Sequence, residues 1–354
     1  MRRRLFQTHK YAALATGAFL AVIGLSGSLL AFEDEIAGWL SRDLLHIPRG
    51  PVQVPLAELT KIVRQTFPGE GIYGLRLGAE DRSTTIFMGS RQVFVNGHTG
   101  EVLGVRAANN PMRLLRKLHA GLLAPGGQFV VVLCAFTLTW LSGTGVVLWW
   151  RQRNARGTRE TARATHDSIG IVSNVYLLAL GISAICFILP IAPLVYWITG
   201  SKEPRRPPLS SVAVEGGSTI SPDQVARVAT GALPGLLPET VLFPASRTAA
   251  YRVGMRQGES TLLAGDVQID QYSGKLLAAA RINNSEPAMR IVQGIRSFHV
   301  GRWLGIPSQI LAALAGLAIA AQALTGFLMW RNARRRVAAR YREPAPEPAA
   351  QSLR

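Results

Sequence analysis

Four apolar runs constrain this chain more than anything else in it. Residues 11–32, 129–150, 169–198 and 306–330 are each long enough to cross a bilayer as a helix. A hydrocarbon core of about 30 Å needs about 20 such residues. The third run carries Pro190 and Pro193, and it is expected to kink, tilt or end in an interfacial turn near them. The first follows Arg2, Arg3 and Arg4 and has no small-x-small cleavage site at its end, so it is expected to be retained as an anchor.

The chain of 354 residues carries 39 Lys and Arg against 21 Asp and Glu, a net charge of +18. Such an excess could suit a nucleic-acid binder, but here it is clustered at the ends of apolar runs. Arg2, Arg3 and Arg4 precede the first run; Arg151, Arg153, Arg156, Arg159 and Arg163 fill the loop after the second; Arg331, Arg334, Arg335, Arg336 and Arg340 follow the fourth. With four crossings all three clusters fall on one side, and the positive-inside rule makes that side cytoplasmic. Arg113, Arg116 and Lys117 dissent, in a long segment where the rule is weak. The expectation is a protein of the bacterial inner membrane with both termini cytoplasmic, lipid as a partner and no nucleic acid. Cys134 and Cys186 lie within apolar runs as small filling residues. Their number and place exclude a disulfide framework, and no C-x-x-C-H motif is present for covalent haem.

The long stretches, 33–126 and 201–302, then face the periplasm. Residues 93–103 and 267–277 each read as strand, turn, strand, and the helix-like stretches 56–65 and 221–230 precede them. Each stretch is expected to be a small α+β module. The turns align as Asn96 with Asp270, Thr99 with Ser273 and Gly100 with Gly274. Placing His9 on His166 carries Gly24 onto Gly181 and Ser26 onto Ser183. Placing His119 on His299 carries Trp150 onto Trp330 and Arg151 onto Arg331. The pattern reads as an internal duplication of helix, module, helix. The expected division is a helix at 1–32, a module at 33–126, a helix at 127–150, a loop at 151–168, a helix at 169–200, a module at 201–302, a helix at 303–331 and a tail at 332–354, disordered from 343 to 351 by its Pro, Ala and Glu content.

These features together resemble the PepSY-associated transmembrane family: His9 with Gly17, Gly24 and Gly27; the Thr99-Gly100 and Ser273-Gly274 turns; Leu118-His119 with Gly143, Gly145 and Trp149; His166-Asp167 with Gly170; His299 with Thr325-Gly326 and Trp330. The resemblance implies a four-helix transmembrane bundle with two periplasmic PepSY-like modules. Some members look like FoxB-like ferric-siderophore reductases carrying two b-type haems, and others are iron-regulated membrane proteins. The chain departs from the pattern at Ala184, where the first half has Gly27.

Four of the six histidines sit at helix ends. By position His9 and His166 belong at the cytoplasmic face and His119 and His299 at the outer face. Two pairs at matching depths are what two stacked bis-histidine haems require, since neutral imidazole is a strong axial ligand for haem iron. His9 and His166 would hold an inner haem b, His119 and His299 an outer one. Gly17, Gly24, Gly27, Gly143, Gly145, Gly170, Gly181, Gly316 and Gly326 would make room for a macrocycle or equally serve helix packing. Arg4, Lys10, Arg116, Arg163 and Arg302 could pair with propionates or act as topology charges. The resemblance implies a ferric siderophore as acceptor, bound outside near the outer haem, whose iron is released because Fe²⁺ suits hard oxygen ligands less well. The donor, a quinol or a cytoplasmic reductase, has no motif here.

Other classes stay open at this point. Copper or zinc binding would need a Cys/His/carboxylate cluster of metal spacing, which does not appear. A proton relay through His166-Asp167 and His9 would need acidic residues inside the spans, and there are none. A scaffold or regulatory protein binding through its external modules needs no haem. His46 and His98 lack counterparts and are expected to be solvated, and Trp39, Trp197 and Trp303 read as interfacial belt residues.

Overall fold

The computed structural model describes residues 2–50, 53–107, 110–152, 161–189, 191–201, 209–258, 263–281 and 287–340. Arg153, Arg156, Arg159, Pro190 and the 343–351 segment lie outside the described residues. In chain order the elements are α1 (Arg2–Leu30), α2 (Glu33–Leu40), α3 (Arg42–Leu45), α4 (Leu56–Thr66), β1 (Ile72–Arg76), β2 (Thr84–Met88), β3 (Arg91–Val95), β4 (Val102–Ala107), α5 (Pro111–Gly121), α6 (Gly127–Gln152), α7 (Thr161–Ile188), α8 (Ala192–Thr199), α9 (Pro222–Ala232), β5 (Leu237–Leu242), β6 (Tyr251–Arg256), β7 (Leu263–Ile269), β8 (Leu276–Arg281), α10 (Pro287–His299) and α11 (Ile306–Arg340). They divide into two compact units, one of residues 1–32, 115–190 and 295–354, the other of 33–114 and 191–294.

The first unit is helical. Four helices, α1, α6, α7 and α11, are long and apolar enough to cross a membrane. α1 packs along α11 and α6, and α7 packs along the same two, so the four form a ring with α1 and α7 at opposite corners. Close approach follows from small residues. A Cβ on Gly24 would come within 2.7 Å of the Gly316 carbonyl, and one on Gly316 would strike the Gly24 carbonyl in turn. Ser28 Oγ donates across this α1–α11 crossing to the Ala313 carbonyl at 2.8 Å. Gly181 admits Thr139 in the same way between α7 and α6. Leu20, Cys134, Leu177, Ala315 and Ile319 form a buried apolar layer between the helix ends. Outward-facing apolar side chains such as Val172 and Val175, 87% and 80% exposed, are what a lipid-facing surface presents.

The third apolar run does not continue as one helix to residue 198. α7 ends at Ile188, and α8 restarts at Ala192 with Pro193 in its first turn, where a missing N–H costs nothing. α1 and α7 also begin well before their apolar runs, so His9 and His166 are helical residues and do not precede the helices. Hydropathy marks what lipid requires, whereas the hydrogen-bonded helix runs on into the polar turns.

The second unit is an α+β body. Its eight strands make one antiparallel sheet in the order β4-β3-β2-β1-β5-β6-β7-β8. The two expected modules are thus halves of a single sheet, joined where Leu75 of β1 faces Val241 of β5. Each of these two strands would otherwise be an unpaired edge, and pairing them satisfies both rows of backbone groups. Leu59 and Val63 of α4 and Val225 and Ala229 of α9 pack on Leu75, Ile86, Val93, Val241, Val253 and Val267, all buried. The helices are also linked through their ends. Pro55 has no capping side chain for α4, and the Asp223 carboxylate from α9 accepts from the Leu56 and Ala57 amides at 2.8 and 2.9 Å.

The two hairpin turns share one construction. Asn96 Oδ1 accepts from the His98 and Thr99 amides, and Asp270 Oδ1 from those of Tyr272 and Ser273. Gly100 and Gly274 follow with φ of +78° and +71°, a conformation that glycine adopts without strain. Burial alone would lift the Asp270 carboxyl, but hydrogen bonds from Ser273, Tyr272 and Ser211 outweigh it and hold the group down at about 2. A depressed carboxylate stabilises the fold above its unfolded value of about 3.9, and that contribution is lost as pH falls through about 2. In Asp270→Asn the Oδ1 acceptor of the turn remains, as Asn96 shows in the first turn, but the amide NH2 cannot accept from the Val212 N–H that Oδ2 takes at 3.2 Å. Thermal melts of that variant are expected to start lower than wild type at pH 7 and to lose part of the wild-type acid slope from pH 5 to 2.

His98 departs from its expected solvated state. It is half-buried, its ring Nε2 lies 2.9 Å from the Glu80 carbonyl, and Gly50 packs on it so closely that a Cβ there would come within 2.7 Å of the ring. His46 is exposed.

Candidate functional site

All four remaining histidines belong to the helical unit, and each presents its ring to a neighbouring helix that offers one hydroxyl and little bulk. His9, on α1, has Nδ1 2.8 Å from Thr144 Oγ1 of α6. His166, on α7, has Nδ1 2.9 Å from Thr325 Oγ1 of α11. His119 and His299 sit near the C-terminal ends of α5 and α10, separate helices that precede the spans. His119 Nδ1 lies 3.2 Å from Ser26 Oγ and 2.9 Å from the Ile23 carbonyl, both of α1. His299 Nδ1 lies 3.0 Å from Ser183 Oγ of α7, with the Leu180 carbonyl beside it.

The protons on these rings can be assigned. Each hydroxyl has a single proton and donates it to its own helix: Thr144 to Trp140 O and Thr325 to Ala321 O at 2.7 Å, Ser26 to Val22 O and Ser183 to Leu180 O at 2.8 Å. Facing the ring, each therefore accepts, so every Nδ1 carries the hydrogen and every Nε2 a lone pair. The Ile23 carbonyl can only accept and makes the same assignment at His119. Among the described residues no hydrogen bond engages any of the four Nε2 atoms.

Glycines shape the seats of three rings. A Cβ placed on Gly145 or Gly326 would touch Cε1 of His9 or His166 at 3.7 and 3.6 Å respectively, and one on Gly27 would press on Cε1 of His119 at 2.9 Å. Gly24, Gly316 and Gly181 serve helix packing, Gly17 meets only Ala323 at 3.7 Å, Gly170 meets Gln322, and Gly143 meets nothing. The Thr-Gly pairs also bear on how the two halves align. Thr144-Gly145 and Thr325-Gly326 do the same work, which sets Trp149, one residue before Trp150, against Trp330.

Two tiers result. His9 and Ser26 lie about 25 Å apart along α1 at about 1.5 Å per residue, and His166 and Ser183 are equally spaced along α7. In one tier His9 of α1 meets α6 and His166 of α7 meets α11; in the other, His119 packs on α1 and His299 on α7. His9 lies within electrostatic range of His166, and His119 within that of His299. Burial and the neighbouring His119 ring hold the His299 imidazole down at about 4, so it is neutral at pH 7. Burial also lowers His119, against the Ile23 carbonyl.

Around the tiers, Phe187 packs on the His299 ring at 5.5 Å between centroids, and Arg296 lies over Phe187. Lys10 lies over the Tyr11 ring at 4.3 Å, and Arg163 pairs with Asp167 at 3.9 Å and with Gln152. Gln322 Nε2 donates to the His166 carbonyl at 2.8 Å, a contact no sequence pattern singles out. Among the described residues no three His, Cys, Asp or Glu side chains gather as a metal site. In the sheet unit a mainly polar cleft of about 440 Å³ is lined by Val214, Thr219, Ser246, Arg247, Gln271 and Tyr272 among others.

No curated protein matches the chain. Among solved structures, a Clostridium difficile 630 chain described as a lipoprotein aligns over 67% of this chain and 98% of its own length, at 8% identity and a TM-score of 0.28. The family model for the PepSY-associated TM region matches residues 6–333, nearly the whole length, and the chain belongs to that family.

Proposed function

We propose that the protein is a di-haem membrane electron-transfer protein, a duplicated unit in which His9 and His166 hold an inner haem b and His119 and His299 an outer one. One observation carries this reading: four imidazoles, two toward each end of the helical unit, have Nδ1 against a hydroxyl of a neighbouring helix, and among the described residues no hydrogen bond engages their Nε2. Neutral Nε2 is the donor that haem iron takes, and the second hydrogen bond that orients such a ring is in place at every site. Bound haem supplies reversible one-electron chemistry. The chain contributes orientation, a low-dielectric surround and separation of the tiers by the layer around Leu20, Cys134, Leu177, Ala315 and Ile319. That layer has no charged group with which to pass ions or protons, which favours an electron carrier over a transporter.

In this reading the arginine-rich ends are cytoplasmic, the membrane is the bacterial inner membrane, and the sheet unit is periplasmic. Electrons arrive from a quinol or a cytoplasmic reductase and leave to an external acceptor, a ferric siderophore in the reductase members that the chain resembles.

The test is an absorption spectrum of detergent-purified protein from haem-supplemented cells, followed by mixing of the reduced protein with ferric siderophore. Low-spin haem b bands and accelerated reoxidation over a siderophore-free control are expected. A colourless protein would sink the proposal. A second reading, a scaffold that binds peptide or protein through its sheet unit without redox activity, draws on the polar cleft by Arg247 and Tyr272. Haem bands without any reoxidation by the siderophore would remove the proposed acceptor.

A further inference from the structure

We infer that the polar cleft of the sheet unit binds a carboxylate with an N–H beside it, held by Arg247 and Gln271. A peptide carboxy-terminus and an N-acyl amino acid both present that chemistry. The site gives a ligand to the cleft on which the scaffold reading draws, and it does not depend on haem.

Gln271 is only 4% exposed, yet it lines the cleft. The cleft's volume of about 440 Å³ is within the usual range for a small-molecule site. The Gln271 Nε2 faces three backbone carbonyls, those of Ser246 and Arg247 at 3.0 Å and Ala249 at 2.7 Å. Three acceptors fix that end of the amide as the nitrogen, so Oε1 is the atom left to offer the cleft. Among the described residues no donor meets Oε1. A largely buried acceptor without a partner costs free energy, and a ligand N–H would remove that cost.

Arg247 supplies the charge. Its side chain is exposed, lines the same cleft and has no hydrogen-bond or ion-pair partner among the described residues. Its own carbonyl accepts from Gln271 and from the Tyr272 hydroxyl at 3.2 Å, so the guanidinium stands on an anchored piece of chain. A guanidinium meets a carboxylate with two parallel N–H donors. An acceptor oxygen in the same cleft repels a second anionic oxygen, which favours a carboxylate flanked by a donor over a bare anion. Val214, Pro244 and Ala245 add apolar wall, suited to a small side chain.

The other half of the sheet builds the same turn without these groups. There His98 Nε2 lies 2.9 Å from the Glu80 carbonyl, as the Tyr272 hydroxyl meets that of Arg247. Ile47 N–H donates to Asp81 O, as Ser211 N–H does to Thr248 O. Glu80 therefore stands where Arg247 does, and Gly97, after Asn96, stands where Gln271 follows Asp270. The fold needs neither the cation nor the amide, which leaves ligand binding as their use.

The experiment is equilibrium dialysis of the detergent-purified full-length protein against radiolabelled acetyl-alanyl-alanine, with unlabelled competitors. Wild type should bind the probe, and added salt should weaken binding. Arg247→Met should weaken it by roughly 10-fold or more, and so should capping the carboxylate as an amide. The ester analogue acetyl-alanyl-lactate lacks the terminal N–H and should compete roughly 5-fold or more weakly. Acetyl-alanine competing as well as the dipeptide would identify the N-acyl amino acid as the sufficient ligand. Glu80→Gln should change nothing, and both variants should melt as wild type does, since both side chains are exposed. No binding by wild type would overturn the inference, and so would equal binding by Arg247→Met or by the amide. Inorganic phosphate competing as well as the peptide would remove the role of Gln271 and overturn it too. The haem spectrum of the same sample reports on the electron-transfer reading separately.

Discussion

His9→Ala is expected to remove one haem of two and leave the other spectroscopically unchanged, and His166→Ala should do the same. The tiers share no ligand and stand about 25 Å apart along α1, so their losses should be independent. Removing either partner leaves the opposite Nε2 without a companion across the bundle, and a single imidazole holds a six-coordinate iron poorly. Haem content measured as the pyridine haemochrome should fall from about two per chain to about one, and the low-spin amplitude by about half. Electron transfer through the bundle should fall further than haem content does, because a missing station interrupts the whole path. Pairing His9→Ala with His119→Ala should give a colourless protein, and His46→Ala should match wild type. A single variant that loses both haems, or keeps both, would contradict the two-tier assignment.

Much of this arrangement is legible in the amino-acid sequence. Lipid imposes a length and composition on a crossing helix that few sequences meet by accident, so the four spans stand out in 1–354. The turns at Asn96 and Asp270 are legible because a side-chain acceptor followed by a positive-φ glycine is a local device. The break after Ile188 is legible too, because two prolines in the third run call for a kink or a turn there. Two things are not. The single sheet depends on β1 meeting β5, a long-range pairing of short strands with weak alternation. The hydroxyl partners are only half visible: Ser26 and Ser183 fall on each other when the halves are aligned, but Thr144 and Thr325 are hidden by a one-residue slip. That slip arises because the chain between His299 and α11 need not match the one between His119 and α6 residue for residue. The side chains that carry the proposal, His9, His119, His166 and His299, are found through their recurrence, whereas what each touches is set by helix rotation.

Gly27→Val should empty the outer tier without altering any ligand. The Gly27 backbone faces the His119 ring, and a Cβ there would sit 2.9 Å from Cε1 and 3.4 Å from Nδ1. That ring is held by Ser26 and by the Ile23 carbonyl on the same helix, so it has little freedom to retreat. Relieving the contact means breaking the Nδ1 hydrogen bonds and swinging Nε2 off its line, and overpacking of this kind commonly costs about 1–3 kcal/mol. Alanine should give partial loss of outer haem and valine nearly complete loss, with the inner haem and its potential unchanged. The second half carries Ala184 at the position aligned with Gly27, with Phe187 packed on His299. The two outer seats are thus built unequally, and Ala184→Gly should have a much smaller effect. Gly143→Ala is the control, since a Cβ there meets nothing within 4 Å. Haem stoichiometry and low-spin band intensity across these variants decide the matter. If Gly27→Val keeps both haems while Gly143→Ala is silent, His119 does not hold iron in the position that its hydrogen bonds dictate, and the outer ligand set must be sought elsewhere in the bundle.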